Sequence, residues 1–345
     1  MKIFKYLIFL FLIALIGFAI YVAIQPDAYN VSRTHTIKAP VAVIHDYIDD
    51  YKEWSKWSPW QSQEPDAVIT YGDPSKGEGA TYNWKGEVLG EGSMNTIYSG
   101  NDSLLQEIHF IKPYESSSEV YWNLDPATTG TNVTWGMKGK LSFMEKAFMT
   151  FQGSMDQVIG KDYEKGLMNL DSVVTTEMSR YSIEYPGKTE YGGGFYLYQT
   201  TAAKHSELES HMERMFGEIS SFMQQEGIPS AGMPFTLYEK WDTENKTAIF
   251  SACIPVSEKM ITPAGSDILC GFIEPAPYFK TILKGDYDHL EEAWERAYEK
   301  ITEAGFTADE NKSPMEKYVN DSEMVPNPAN WITEIYIPIL PVTAE

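Results

Sequence analysis

The chain opens on a run in which every residue from Tyr6 to Ile24 is uncharged and nearly all are apolar. Its length is close to the roughly 20 residues that cross a hydrocarbon core. The pattern then changes period. Residues 31–38 alternate as a strand, Ala39-Pro40 breaks the alternation, and VAVIHDYIDDY carries apolar residues at helical spacing. A Trp-rich turn, WSKWSPW, leads into short strands separated by glycine-containing turns near 72–79, 90–92 and 99–102. Strands around 104–111, 118–124 and 131–141 follow. A single helix is then predicted over 143–170, with Gly166 near its end. Strand, helix, many strands and a long helix predict a curved antiparallel sheet gripping a C-terminal helix, with a cavity between them.

The second half repeats a β-α-β-β unit. Its first copy has a strand at 195–201, a helix at about 206–225, and strands at 235–238 and 248–256. Its second copy has a strand at 278–283, a helix at about 287–304, and strands at 315–319 and 331–339. The last strands align without a gap. AIFSACIPV lies against WITEIYIPI, so Ser251 corresponds to Glu334 and Cys253 to Tyr336, while Tyr238 corresponds to Tyr318. Two such copies bury a shared core and leave a groove at their pseudo-twofold interface.

Composition narrows the partners. With 27 Lys and Arg against 49 Asp and Glu, the net charge of −22 repels phosphate backbones and anionic membranes, and no DNA-binding spacing occurs, so no nucleic acid is expected. Cys253 and Cys270 form no CxxC pair, and the six histidines show no ligand spacing with them, so neither a metal nor a cofactor is expected. Both cysteines lie in strand-like apolar runs, as buried free thiols or as a disulfide. The first apolar run is read as a retained span. A cleaved signal peptide would place the bulky Tyr21 at −3 from Ala23. Lys2 and Lys5 precede the run, which puts the N-terminus in the cytoplasm and the soluble body outside, in the periplasm if the host is Gram-negative.

The candidate chemistry lies in the repeat. Strand periodicity sets Ile335 and Ile337 on one face of WITEIYIPI, the helix side, and Glu334 and Tyr336 on the other. MEKYVND likewise sets Glu316 and Tyr318 on one face, so adjacent strands would present two carboxylates and two phenols to one groove. A carboxylate ringed by aromatics attracts an organic cation through charge and cation–π contacts. The alternative is that Glu316 and Glu334 lie on a solvated face. Trp294 and Tyr298 are i, i+4 neighbours, a stripe that either packs as core or lines the groove. Tyr287, Trp331 and Tyr238 are further candidates.

Two resemblances add to this reading. IKAPVAVIHDYIDDYKEWSKWSPW, the Gly-flanked Trp84, TNVTWGMKGK and MDQVIGKDYEKGLMNLDSVV resemble the START-like, polyketide-cyclase-like (SRPBCC) family over about 28–175. That family's cavity implies that Trp54, Trp57, Trp60, Trp84 and Trp135 line a pocket, against the alternative of simple packing. GIPSAGMPFTLY, CIPV, KGDYDHLEEAWERAYEKITEAGF, MEKYVND and TEIYIPI resemble the GyrI-like family, the effector-binding domain of AraC-type regulators, from about Ser179 to Val342. In such regulators a DNA-binding domain precedes the module. Here an apolar span and a START-like domain do.

The expected fold class is α+β: an N-terminal transmembrane helix (1–26), a helix-grip START-like domain (28–175) and a duplicated β-α-β-β effector-binding domain (179–345). The expected function is binding of a small lipophilic or cationic molecule. The alternative implied by the GyrI-like resemblance is hydrolysis of electrophilic small molecules, with Glu334 as general base assisted by Tyr336 or Tyr318. A third reading has the START-like half hold the ligand while the repeat docks an unidentified protein.

Overall fold

A computed structural model describes residues 2–322 and 324–341. The chain divides into two compact units, Met1–Glu177 and Met178–Glu345.

The first unit begins with α1 (Lys2–Ile24). A three-residue link joins it to β1 (Ala28–Ile37) and α2 (Val41–Asp49). Then come β2 (Val68–Tyr71), β3 (Thr81–Lys85), β4 (Glu91–Ser99), β5 (Ser103–Lys112), β6 (Ser116–Ala127), β7 (Gly130–Lys140), α3 (Phe143–Gln152) and α4 (Met155–Met178). The strands form one antiparallel sheet in the order β1-β7-β6-β5-β4-β3-β2. Alternation decides its buried face: Val120, Trp122 and Leu124 of β6 and Val133, Trp135 and Met137 of β7 point inward. There the Trp122 and Trp135 rings stack at 4.5 Å, and Tyr163 of α4 continues the stack at 4.2 Å. Gly166 permits this approach, since a Cβ there would lie 2.7 Å from the Trp135 ring. Trp54, Trp57, Trp84 and Trp135 are buried and Trp60 half-buried, its Nε1 donating to Asp162 at 3.2 Å.

The helix expected to be continuous over 143–170 is broken in two. Gly153 adopts φ +100°, a conformation open to glycine, and Ser154 restarts the helix by accepting from Gln157 N while Gln157 Oε1 accepts from Ser154 N. Apolar periodicity runs across this junction, so it hid the break.

The second unit contains β8 (Ser182–Tyr191), β9 (Gly194–Lys204), α5 (Leu208–Glu226), β10 (Phe235–Asp242), β11 (Thr247–Val256), β12 (Leu269–Ile273), β13 (Ala276–Lys284), α6 (Leu290–Glu303), β14 (Met315–Tyr318) and β15 (Ile332–Pro338). Its eight strands form a sheet in the order β12-β9-β11-β10-β14-β15-β13-β8. Both helices cover one face. Met215, Ile219 and Met223 of α5 share a core with Leu197, Phe250, Ala252 and Ile254, and Ala293, Ala297 and Ile301 of α6 share one with Phe279, Leu283, Ile335 and Ile337. The opposite face clusters Phe235, Cys253, Tyr278, Met315 and Tyr336 with Tyr191, Tyr196 and Tyr198.

At the centre, β10 pairs with β14 as Phe235↔Lys317, Thr236↔Glu316 and Leu237↔Met315, a pattern symmetric about Thr236 and Glu316. The flanking ladders keep matching registers: Phe235↔Cys253 in β10–β11 corresponds to Met315↔Tyr336 in β14–β15. Edge strand β8 was not anticipated, because Pro186-Gly187 reads as a turn and neither face is fully buried. Cys253 and Cys270 are both free thiols, the first buried and the second half-buried.

Candidate functional site

The site is built where the two helices leave the middle of the sheet to be covered by side chains from the strand ends. Strand periodicity places Thr236 and Tyr238 of β10 and Glu316 and Tyr318 of β14 on the helix face, and α6 brings Trp294 over them. Glu316 is 3% exposed and accepts three hydrogen bonds. Trp294 Nε1 donates to Oε1 at 2.5 Å, and the Tyr238 and Tyr318 hydroxyls donate to Oε2 at 2.8 and 2.9 Å. Among the described residues no Lys, Arg or His pairs with this carboxylate.

Aromatic rings enclose it. Tyr238 meets Trp294 edge to face at 5.8 Å; Tyr287 lies 5.8 Å from Tyr318 and 4.9 Å from Trp331. From α5 come Phe216, 6.0 Å from Tyr318, and Met212, whose Sδ lies 3.7 Å from the Tyr318 hydroxyl. Sequence reasoning missed Met212, Phe216 and Thr236. Met212 and Phe216 are an i, i+4 pair on the inner face of α5, a signal shared with ordinary core residues.

Burial pushes the Glu316 carboxyl above its ordinary value, and the hydrogen bonds from Trp294, Tyr238 and Tyr318 undo only part of that push. Burial, reinforced by the Glu316 charge, holds the Tyr238 and Tyr318 phenols well above theirs. Tyr287 is pushed up to about 12, chiefly by burial, with Asp321, Glu316 and Asp286 adding to it. On the same sheet face the buried hydroxyls of Thr281 and Thr333 have no hydrogen-bond partner among the described residues.

The register overturns the expectation that two carboxylates share one groove. Glu316 faces Ile335 across the β14–β15 ladder, whereas Glu334 faces Lys317, so Glu334 and Tyr336 lie on the sheet face away from the helices. A one-residue offset between adjacent strands exchanges faces. Glu334 is bound by Lys280 Nζ at 2.7 Å, Lys317 Nζ at 3.2 Å and the Tyr336 hydroxyl at 2.8 Å. Burial raises its pKa, but Lys280, Tyr336 and Lys317 more than reverse this and hold it below the ordinary carboxylate value. A carboxylate so held is a weak base, which leaves Glu334 poorly suited to the general-base role. Six of the eight candidates, Glu316, Tyr318, Tyr238, Trp294, Tyr287 and Trp331, belong to one cluster; Glu334 and Tyr336 belong to another. Among the described residues no group of His, Cys, Asp and Glu is placed to hold a metal ion.

Residues 195–340, which include this sheet from β9 onward, both helices and the buried carboxylate, match the family model described as GyrI-like small molecule binding domain. The second unit thus carries a GyrI-like domain. Among solved structures, the EcmrR C-terminal domain is 18% identical, covering 47% of this chain and 98% of its own, with a TM-score of 0.35. EcmrR in a complex with DNA is 17% identical over 58% and 72%, with a TM-score of 0.41. A Chromobacterium violaceum protein is 10% identical over 42% and 96%, with a TM-score of 0.32. No curated protein matches the chain.

Proposed function

We propose that the GyrI-like domain binds a lipophilic organic cation at Glu316. One observation carries this reading: a buried carboxylate, ringed by Trp294, Tyr238, Tyr318, Tyr287 and Trp331, has no cationic partner among the described residues. An uncompensated buried carboxyl is costly, and a cation with aromatic or alkyl substituents supplies the missing charge while gaining cation–π contact with the rings. The half-buried rings of Tyr287 and Trp331 form the outer layer of the cluster, so a ligand enters by displacing them. The matched registers about Thr236 and Glu316 support reading this unit, about 179–345, as a duplication. Thr236 then occupies in the first copy the place Glu316 holds in the second, and one carboxylate serves both halves.

The same proposal extends to the rest of the chain. The seven-stranded antiparallel sheet with its long closing helix supports a START-like reading of residues 28–175, with the tryptophans packed as core rather than lining a pocket. Ile3–Ile24 is long and apolar enough to cross a membrane, a test that a signal sequence also passes. It is exposed almost all round, which favours a lipid environment, and Lys2 and Lys5 at its start favour a cytoplasmic N-terminus.

The test is calorimetric titration with tetraphenylphosphonium, with neutral triphenylphosphine oxide as the uncharged control. Glu316→Gln is expected to weaken the cation roughly 30-fold or more, the loss of about 2 kcal/mol when one partner of a buried charge pair is removed. Glu334→Gln should bind as the wild type does. Equal binding by Glu316→Gln would sink the assignment.

A further inference from the structure

Helix α3 turns its apolar side outward. Phe143, Met144, Ala147, Phe148 and Phe151 fall on one face at helical spacing, and Met144 and Phe151 are 72% and 79% exposed while Phe143 and Phe148 are nearly half exposed. A capping box at Ser142 and Glu145 fixes where the helix starts, so this orientation is built in. Beside it, Tyr114 of the β5–β6 turn lies 5.9 Å from Phe148 and is itself 60% exposed. Four large apolar side chains on ten residues form a contiguous patch of a kind that soluble surfaces avoid.

The same helix is tied to the end of α1. Lys146 Nζ donates to Ala23 O at 3.2 Å and Gln25 O at 3.1 Å, satisfying carbonyls at a helix terminus that have no partner within the helix. Phe151 meets Phe18 at 5.7 Å, and Val22 is buried. The link from Ile24 to β1 is only Gln25, Pro26 and Asp27, about 10 Å at full extension, and Leu141 N donates to Asp27 O at its end. The start of β1, the end of β7 and α3 are therefore held wherever α1 leaves the bilayer. Phe18 lies about 9 Å before Ile24 along the helix axis, which sets α3 at the depth where amphipathic helices rest, some 5–10 Å into the headgroup boundary.

We propose that α3, with Tyr114, lies in the interface of the same membrane that α1 spans, its Phe143, Met144, Phe148 and Phe151 face buried among headgroups and upper acyl chains. This rests on reading α1 as a retained anchor. With a net charge of −22 the chain gains nothing from anionic lipid, so the lipid expected is zwitterionic and the attraction apolar. Lys146 occupies the snorkelling position, its stem along the apolar helix and its ammonium at the carbonyls that close α1.

The experiment uses the full chain in phosphatidylcholine vesicles, with Cys253→Ser and Cys270→Ser removing the native thiols. Nitroxides are attached singly at Met144→Cys, Phe148→Cys, Phe151→Cys, Leu12→Cys and Asn101→Cys. Power saturation then compares access of oxygen, which partitions into lipid, with that of a water-soluble nickel chelate. The expected result is oxygen-dominated relaxation at 12, 144, 148 and 151 and nickel-dominated relaxation at 101. Nickel-dominated relaxation at 144, 148 and 151 with an oxygen-dominated 12 overturns the interfacial helix and leaves the anchor standing. Low access to both reagents at those three sites overturns it too, by placing protein rather than lipid on the patch. A chain of reduced mass lacking residues 1–26, or a nickel-dominated 12, removes the anchor on which the proposal stands.

Discussion

Glu316 and Glu334 are both glutamates on short central strands beside tyrosines, yet their environments drive them in opposite directions. Glu316 is buried with donors but, among the described residues, no ammonium, and its pKa rises; Glu334 has two lysines, and its pKa falls. The sign of the stability effect follows. Because the folded pKa of Glu316 lies above its unfolded value, its contribution is fully present below the ordinary carboxylate pKa, about 4.3, and is lost as pH rises through the folded value. Glu316→Gln should therefore melt higher than the wild type at pH 7, with the gap closing towards pH 4. Parallel thermal melts across that range check this, and a gap independent of pH would mean that Glu316 does not titrate in its buried place. Cation affinity carries the matching trend: it should rise with pH over the same interval, because the bound cation favours the ionised carboxylate.

At the scale of elements, the break between α3 and α4 turns on one residue. Gly153 at φ +100° lies in backbone territory that a side chain makes costly, and a Cβ would sit 2.1 Å from Gln157 Oε1. Gly153→Ala should destabilise the chain by about 1–3 kcal/mol, read as a lower urea midpoint with an unchanged slope. The stack of Trp122, Trp135 and Tyr163 is the stronger joint, since it ties the sheet to α4. Trp135→Ala is expected to cost about 3–5 kcal/mol by leaving a ring-sized void. A loss under about 1 kcal/mol would mean that the site collapses around the void. Strands β5, β6 and β7 were legible because their alternation buries one face. The helix break was not, because its apolar period continues on both sides of Gly153, and β8 was not, because its Pro186-Gly187 pair mimics a turn.

For the whole molecule, the balance lies between an acidic body and an apolar leader. The net charge of −22 keeps the body hydrated, while α1 and the outer face of α3 are apolar. The full chain is expected to stay with membranes after an alkaline carbonate wash. A chain lacking residues 1–26 should be released by the same carbonate wash, since the α3 patch alone is a marginal anchor. Recovery of the intact-mass chain in the soluble fraction would contradict the anchor.

Composition and periodicity determined the α+β class and the apolar helix at the start of the chain, and they singled out Tyr238 and Tyr318 as candidates. These are properties of one segment at a time, and each segment carries its own pattern. The pairing of carboxylate with environment was decided only by tertiary structure. In MEKY and WITEIYIPI alike a glutamate and a tyrosine stand two residues apart on one face of a strand. The apolar alternation of WITEIYIPI by itself turns Glu334 away from the helices, but MEKY has no such alternation, so only the one-residue difference in pairing with β15 puts Glu316 beneath Trp294 and away from the lysines that hold Glu334.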